Sequence, residues 1–393
     1  MLQHLRLLMV TPRFLPLTGG VELHVDQVAR RLAQRGMSVT ILTTDTTRSL
    51  PVSEVIHGVN VRRVPAWPSR RDYYFAPRIY SHVVDEDCDV VHVQSYHTFV
   101  APFAMLAARR ANRPYVVTFH GGGHSSRLRH AARPIQLRAL RPLLAGASRL
   151  IALVPHEIEA YSRGLAIPRA RFALIPNGSD LPATLARSVP REPALIASIG
   201  RLERYKGHHR VIAALPHLIR HRPEARLWIA GTGPEEAALR RLAASLDVAD
   251  RVDIRAVPVE DRERYAIELS RVSVVVLMSE FETQPIAALE AAALGCRLLV
   301  ARSPGLAALA QQGLASTIPL GASPRDLAGA LLDELDRPPP PRADLPTWDE
   351  CAERLLEVYA SVANEANGQP VDDASTAPGL ATRTRRGGRV RRS

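Results

Sequence analysis

Lysine is nearly missing from this sequence. Of its 51 basic residues 50 are arginine, and the single lysine is Lys206. A bias that writes arginine almost everywhere leaves that one position asking for a chemical reason, a compact ammonium where a planar fork will not serve. Cysteine is scarce too. Cys88, Cys296 and Cys351 lie far apart and form no C-x-x-C pair, which argues against a disulfide framework and a cysteine zinc site, and favours a reducing, cytoplasmic compartment. No stretch approaches the roughly 18 uninterrupted apolar residues of a membrane span, and no small-residue cleavage site follows the apolar run at residues 5–10. Neither a span nor a signal peptide is expected. Several catalytic signatures are also lacking. There is no Gly-Lys-Ser/Thr, since Gly207 follows Lys206, which excludes a P-loop kinase. His120-Gly121-Gly122-Gly123 has the look of an esterase oxyanion loop, but no G-x-S-x-G accompanies it, and Gly231-Thr232-Gly233 lacks the third glycine of a dinucleotide fingerprint.

What remains is an ordinary globular composition, 46% hydrophobic and 23% charged, in 393 residues, long enough for two cores rather than one. The net charge of +12 owes much to six arginines between Arg383 and Arg392, in a Gly/Thr/Arg segment without hydrophobic periodicity. Residues 367–393 therefore read as a basic disordered tail. It is either simply solvated or weakly attached to an anionic surface, a membrane before a nucleic acid. The mildly basic remainder suits an anionic donor or a lipid-phosphate acceptor.

Short Val/Ile/Leu runs alternate with helical stretches along the chain, the pattern of parallel sheets covered on both faces. Strands are expected at residues 5–10, 39–43, 90–93, 115–119, 150–153 and 172–175. After a polar, proline-punctuated stretch, a second set follows at 194–199, 226–230, 252–254, 272–277 and 297–300. Val21, Val25, Val28 and Leu32 share one face of a first helix, which Gly36 stops. The domains expected are 1–185 and 186–345, then a helix within 346–366 reached through the stiff Arg337 to Pro341 linker. Two such halves place a ligand in the crevice outside the carboxyl ends of their strands. Segments 62–80 and 121–138 read as loops on the acceptor side that carry no motif.

Three local patterns fall at strand ends. Gly19-Gly20 opens the first helix, where backbone amides approach an anion closely, though a plain tight turn has the same glycines. Arg201 and Lys206 lie five residues apart in Gly-Arg-Leu-Glu-Arg-Tyr-Lys-Gly; such a pair can flank a diphosphate with one fork and one point charge, though a solvated basic loop has the same residues. Glu282 and Glu290 are separated by eight residues, with a helix starting near Pro285. Eight helical residues rise about 12 Å, against the roughly 5 Å between the carboxylates of a retaining hydrolase, so this pair serves two ends of a long ligand. Asp85-Glu86-Asp87 contains an Asp-x-Asp, but it precedes a strand and reads as a turn rather than a metal site.

In this order, with Thr118-Phe119-His120, Ile175-Pro176-Asn177-Gly178, Gly231-Thr232-Gly233-Pro234 and a last helix holding Trp348 and Tyr359, these motifs resemble family-4 glycosyltransferases over about residues 5–363. The resemblance implies an α/β chain of the GT-B fold: two Rossmann-like domains facing each other across a cleft, with the C-terminal helix returning to the first. It implies retaining transfer of a hexose from a UDP- or GDP-sugar, a substrate rather than a cofactor, to a glycan, lipid-linked or small-molecule acceptor, without a metal and without nucleic acid. By position it gives Glu290 the ribose hydroxyls and Arg201 and Lys206 the diphosphate. Glu282, with the amides of Thr283 and Ile286, receives the sugar, and Gly231 and Gly233 fall on the donor side. His120 lies beside the sugar, with Gly19 and Gly20 closing the acceptor side. Two departures stand out. Glu282-Thr283-Gln284-Pro285 replaces the family's Glu-Gly-Phe-Gly, which removes one amide donor at Pro285, and Ala308 stands where an acidic residue is common. A nucleotide-sugar 2-epimerase on the same fold, or a partner subunit without chemistry, stays open.

Overall fold

The computed structural model describes residues 5–69, 73–121, 127–182 and 189–368; the arginine-rich tail singled out above lies outside the described residues from 369 onward. Runs of Val, Ile and Leu form strands buried on both faces, which the helices between them make possible. The first sheet comprises β1 (Arg6–Val10), β2 (Ser38–Asp45), β3 (Ser53–Ile56), β4 (Val59–Pro65), β5 (Val90–Gln94), β6 (Tyr115–Thr118), β7 (Arg149–Ala152) and β8 (Phe172–Leu174). Its order is β3-β4-β2-β1-β5-β6-β7-β8, parallel except for β3 against β4. The second comprises β9 (Leu195–Ile199), β10 (Arg226–Ala230), β11 (Val252–Ile254), β12 (Val274–Leu277), β13 (Arg297–Ala301) and β14 (Ser316–Ile318), all parallel in the order β11-β10-β9-β12-β13-β14. In each sheet the chain starts in the middle and winds outward both ways, which opens a crevice at the ends of the first strand and its later neighbour.

Helices of the first domain are α1 (Gly20–Gln34), α2 (Arg78–Asp85), α3 (Val100–Arg110), α4 (Arg127–Ala145) and α5 (Pro155–Leu165). Those of the second are α6 (His208–Leu218), α7 (Glu236–Ser245), α8 (Arg262–Arg271), α9 (Ile286–Ala293), α10 (Leu306–Gln311) and α11 (Pro324–Asp336). The last, α12 (Trp348–Ala366), starts on a Thr347/Glu350 capping box and crosses back. Trp348, Leu355 and Tyr359 are fully buried in one cluster with Met9, Val25, Val28 and Leu32 of the first domain. Its entry is fixed by close approach: a Cβ on Gly178 would lie 2.3 Å from the Trp348 amide nitrogen.

Two expectations need correction. Of the segment 62–80, residues up to Pro65 belong to β4 and those from Arg78 to α2; β4 alternates buried Val59 and Val61 with exposed Asn60 and Arg62, so its polar half hid the strand. Of 121–138, everything from Arg127 is helical, with Pro134 and Pro142 inside α4, where proline ordinarily argues for a break. Strands β3 and β14 were not expected either. Both are short, and β3 pairs on one side only.

Candidate active site

The crevices of the two sheets face each other and enclose a cleft of about 630 Å³, within the range of small-molecule sites. From the first domain, the loop after β1 delivers Arg13 and Gly19, and the first turn of α1 delivers Gly20 and Glu22. A Cβ on Gly19 would sit 2.4 Å from Glu22 Oε2, so the bare backbone is what lets Glu22 turn in and pair with Arg13 at 2.6 Å. Gly20 opens α1, and its Cβ position lies 4.0 Å from Ile286 Cδ1 of the opposite domain. At the end of β6, His120 and Gly121 both take a left-handed backbone (φ +53). A Cβ on Gly121 would stand 1.3 Å from Thr283 Oγ1, so glycine is what lets the two domains meet here.

His120 Nε2 is 2.6 Å from Gln94 Oε1, and its ring stands edge-on to that of His24 at 4.7 Å. His24 Nδ1 reaches Asn177 Oδ1 at 2.8 Å, and the Asn177 amide donates across the cleft to Gln284 Oε1 at 2.7 Å. Burial holds both histidines neutral: it lowers His24 to about 4 and His120 well below the ordinary imidazole value.

From the second domain, the loop after β9 brings Arg201 and Lys206 to the same wall. Arg201 pairs with Glu203 at 2.5 Å and donates to the Tyr205 hydroxyl at 3.0 Å. Lys206 Nζ donates to Glu282 Oε1 at 2.6 Å. Burial alone would lower the lysine's pKa; the Glu282 carboxylate more than offsets it, and the ammonium is held above its ordinary value. Lys206 is aimed by Gly207, whose left-handed turn (φ +77) leaves only 2.1 Å between a would-be Cβ and Met278 O. Beyond Glu282, buried Thr283 and then Pro285 lead into α9, whose first amides, from Ile286 and Ala287, open on the cleft at the positive end of the helix. On the next turn Glu290 is buried and ion-paired to Arg262, with the Tyr265 hydroxyl also bonded to it. Burial raises the Glu290 pKa, against the pull of Arg262.

Gly19, Gly20, His120, Arg201, Lys206, Gly231, Glu282, Thr283, Ile286 and Glu290 thus all line one cavity. Gly233 does not face it; it packs beneath the loop, its Cβ position 2.6 Å from Leu202 O. Arg13, Arg262 and Tyr265 went unnoticed in the sequence. Arg262 and Tyr265 share a face of α8 at i, i+3, but among 50 arginines no single one stands out. Among the described residues three carboxylates line the cleft, Glu22, Glu282 and Glu290, and each is paired with a cation. The four lining cations Arg13, Arg201, Lys206 and Arg262 each have a carboxylate partner, Arg201 through Glu203 just outside the lining, so the empty cleft is charge-balanced. Among the described residues no group of three His, Cys, Asp or Glu side chains is placed to hold a metal.

Residues 18–182 match the family profile described as Glycosyltransferase Family 4, and 186–344 match Glycosyl transferases group 1. A D-inositol 3-phosphate glycosyltransferase of Nocardiopsis dassonvillei is 30% identical over 386 residues, spanning 87% of this chain and 89% of the relative. One from Catenulispora acidiphila is 27% identical over 392 residues, 90% and 93% of the two chains. Among solved structures, a sucrose-phosphate synthase from Thermosynechococcus elongatus superposes with a TM-score of 0.69 at 20% identity, covering 93% of this chain and 98% of that one. Anabaena HepE in complex with UDP-glucose gives 0.64 at 16%, covering 93% and 99%. The chain belongs to the family-4 glycosyltransferases and has their GT-B fold.

Proposed function

We propose that this glycosyltransferase moves a hexose from a UDP- or GDP-sugar to an acceptor with retention of configuration and without a metal. Residues 1–185 hold the acceptor and 186–345 the donor. The observation that carries the reading is the Lys206–Glu282 pair. An ammonium has three donors, and Glu282 engages one, which leaves two for a diphosphate in a site whose empty state is already charge-balanced. Arg201 flanks the same diphosphate, the amides at the start of α9 face the sugar end, and Glu290, held by Arg262 and Tyr265, takes the ribose hydroxyls. As the sugar–oxygen bond breaks, negative charge grows on the diphosphate beside Lys206 and Arg201, which is where fixed cations lower the barrier.

Retention is supported by the pairing of every lining carboxylate among the described residues with a cation, which leaves none of these free as a base on the face opposite the leaving group. Neutral His120 stands on the acceptor side of the sugar. The relatives' name makes a phosphorylated cyclitol one candidate acceptor, and the UDP-glucose complex of HepE makes UDP-glucose a first donor to try. Screening UDP-, GDP- and ADP-sugars by thermal shift identifies the donor, since a ligand at a hundred times its dissociation constant stabilises by about 2.7 kcal/mol. NMR of the product linkage should give an α-glycoside from an α-linked donor, with activity undiminished in EDTA. A β-linked product would overturn retention, and activity lost to EDTA and restored by Mg²⁺ would overturn metal independence.

A further inference from the structure

A run of aromatic side chains stands at the first-domain mouth of the cleft. Trp67 and Phe75 are joined by two backbone hydrogen bonds, of 3.1 and 2.9 Å. Phe75 lies against the start of α3, where its ring meets Phe99 edge-on at 5.9 Å and Phe103 at 5.5 Å. The Phe99 amide donates to Tyr73 O, tying Tyr73 to the start of the helix. Trp67, Tyr73, Phe75 and Phe99 are 45, 36, 44 and 49% exposed. Singly exposed apolar residues are unremarkable, but contiguous aromatics held in water by backbone hydrogen bonds mark a binding surface.

Two of these residues, Tyr73 and Phe99, also line the cleft. The aromatic strip is therefore continuous with the pocket and leads out of it on the acceptor side. We propose that it receives the apolar portion of the acceptor: the transferred sugar joins a hydroxyl inside the cleft while a hydrocarbon chain of the same molecule lies over Phe99, Phe75 and Phe103. This deepens the proposed function and rests on the acceptor entering from the first domain. A bare glycan fits the strip poorly. A sugar stacks its C–H face on a flat ring surface, but Phe75 stands at 82° to Phe99 and 65° to Phe103, so the rings form no common platform, whereas a flexible hydrocarbon chain can follow them. Arg48, stacked over the Trp67 ring at 5.3 Å, puts a cation at the outer edge.

The test is direct binding of methyl glucoside and n-octyl glucoside, both monomeric and without donor, by calorimetry. A fully covered methylene contributes roughly fourfold in affinity, so the octyl compound should bind at least tenfold tighter even if only part of its chain is covered. The Phe75→Ser/Phe99→Ser variant should lose that ratio, and Phe75→Leu/Phe99→Leu, which restores apolar surface, should recover much of it. Equal affinities in the wild type, or a ratio that survives the serine variant, would overturn the proposal. So would sedimentation showing that the same substitutions dissociate a dimer, or flotation showing that they release the protein from neutral phosphatidylcholine vesicles, since the strip would then belong to a second copy or to a bilayer. Because no donor is present, a chain that failed to turn over any nucleotide-sugar would sink the proposed function without touching this ratio.

Discussion

At the scale of single residues the cleft is a set of matched charges, and each match predicts a separable effect. Glu290 is buried and paired to Arg262, so removing its charge should act twice. Glu290→Gln should raise the donor KM by about ten- to a hundredfold with a smaller change in kcat, the mark of an interaction shared by ground and transition states. It should also lower Tm, because Arg262 is left buried without its counter-charge. Steady-state kinetics against donor concentration, with a melting curve, separates the two; an unchanged KM would remove Glu290 from the donor site. Glu290 was legible in the sequence because its spacing from Glu282 is part of a motif. Arg262, which holds it, was not, because one arginine on a charged helix has no local signature.

At the scale of elements, the loops rather than the strands carry the precision. Gly207 turns the chain through a left-handed conformation against Met278 O, so Gly207→Ala combines a strained backbone with a backbone clash. It should lower Tm and reduce kcat by displacing Lys206, whereas Gly164→Ala, on the exposed face of α5 with nothing within 4 Å, should stabilise by about 0.5–1 kcal/mol. Equal melting and activity in the two variants would contradict the role given to the turn. The central strands were readable because double-sided burial writes unbroken Val/Ile/Leu runs, as in Val274–Leu277. Strand β4, with Arg62 and Arg63 in its middle, and α4, with two internal prolines, obey rules set by their neighbours and could not be read alone. Arg63 shows why: it is buried, yet donates to Leu15 O at 2.7 Å and pairs with Glu54, partners 48 and 9 residues away.

At the scale of the whole molecule, α12 and the first sheet enclose a neutral histidine network that should set the acid limit of stability. His92 Nδ1 meets the Tyr359 hydroxyl of α12 at 2.6 Å, and its Nε2 meets Thr118 Oγ1 at 2.8 Å. Burial depresses His24 and His208 to about 4 and His92 and His120 well below 6.5. The unfolded chain therefore takes up these protons first, and stability present above pH 6.5 is lost as pH falls from 6.5 toward 4. The slope is up to about 1.4 kcal/mol per pH unit for each histidine. Glu157, raised by burial to about 7, and Glu290, also raised by burial, work the other way over part of that range, since their folded forms hold the proton longer. They are two carboxyls against these four histidines and His209, which burial also lowers to about 4. Tm should fall clearly between pH 6.5 and 5; a flat profile would mean that these rings are not held neutral. The two sheets, the crossing helix and the cleft serve one claim, that a nucleotide-sugar's diphosphate departs against Lys206, and steady-state turnover of Lys206→Ala tests it most directly. With thermal stability matched, and with exposed Arg204→Ala as a nearly neutral control, Lys206→Ala should lose roughly 10²- to 10³-fold in kcat, and Lys206→Arg clearly less. A Lys206→Ala enzyme within about threefold of the wild type, far short of that loss, would contradict the account.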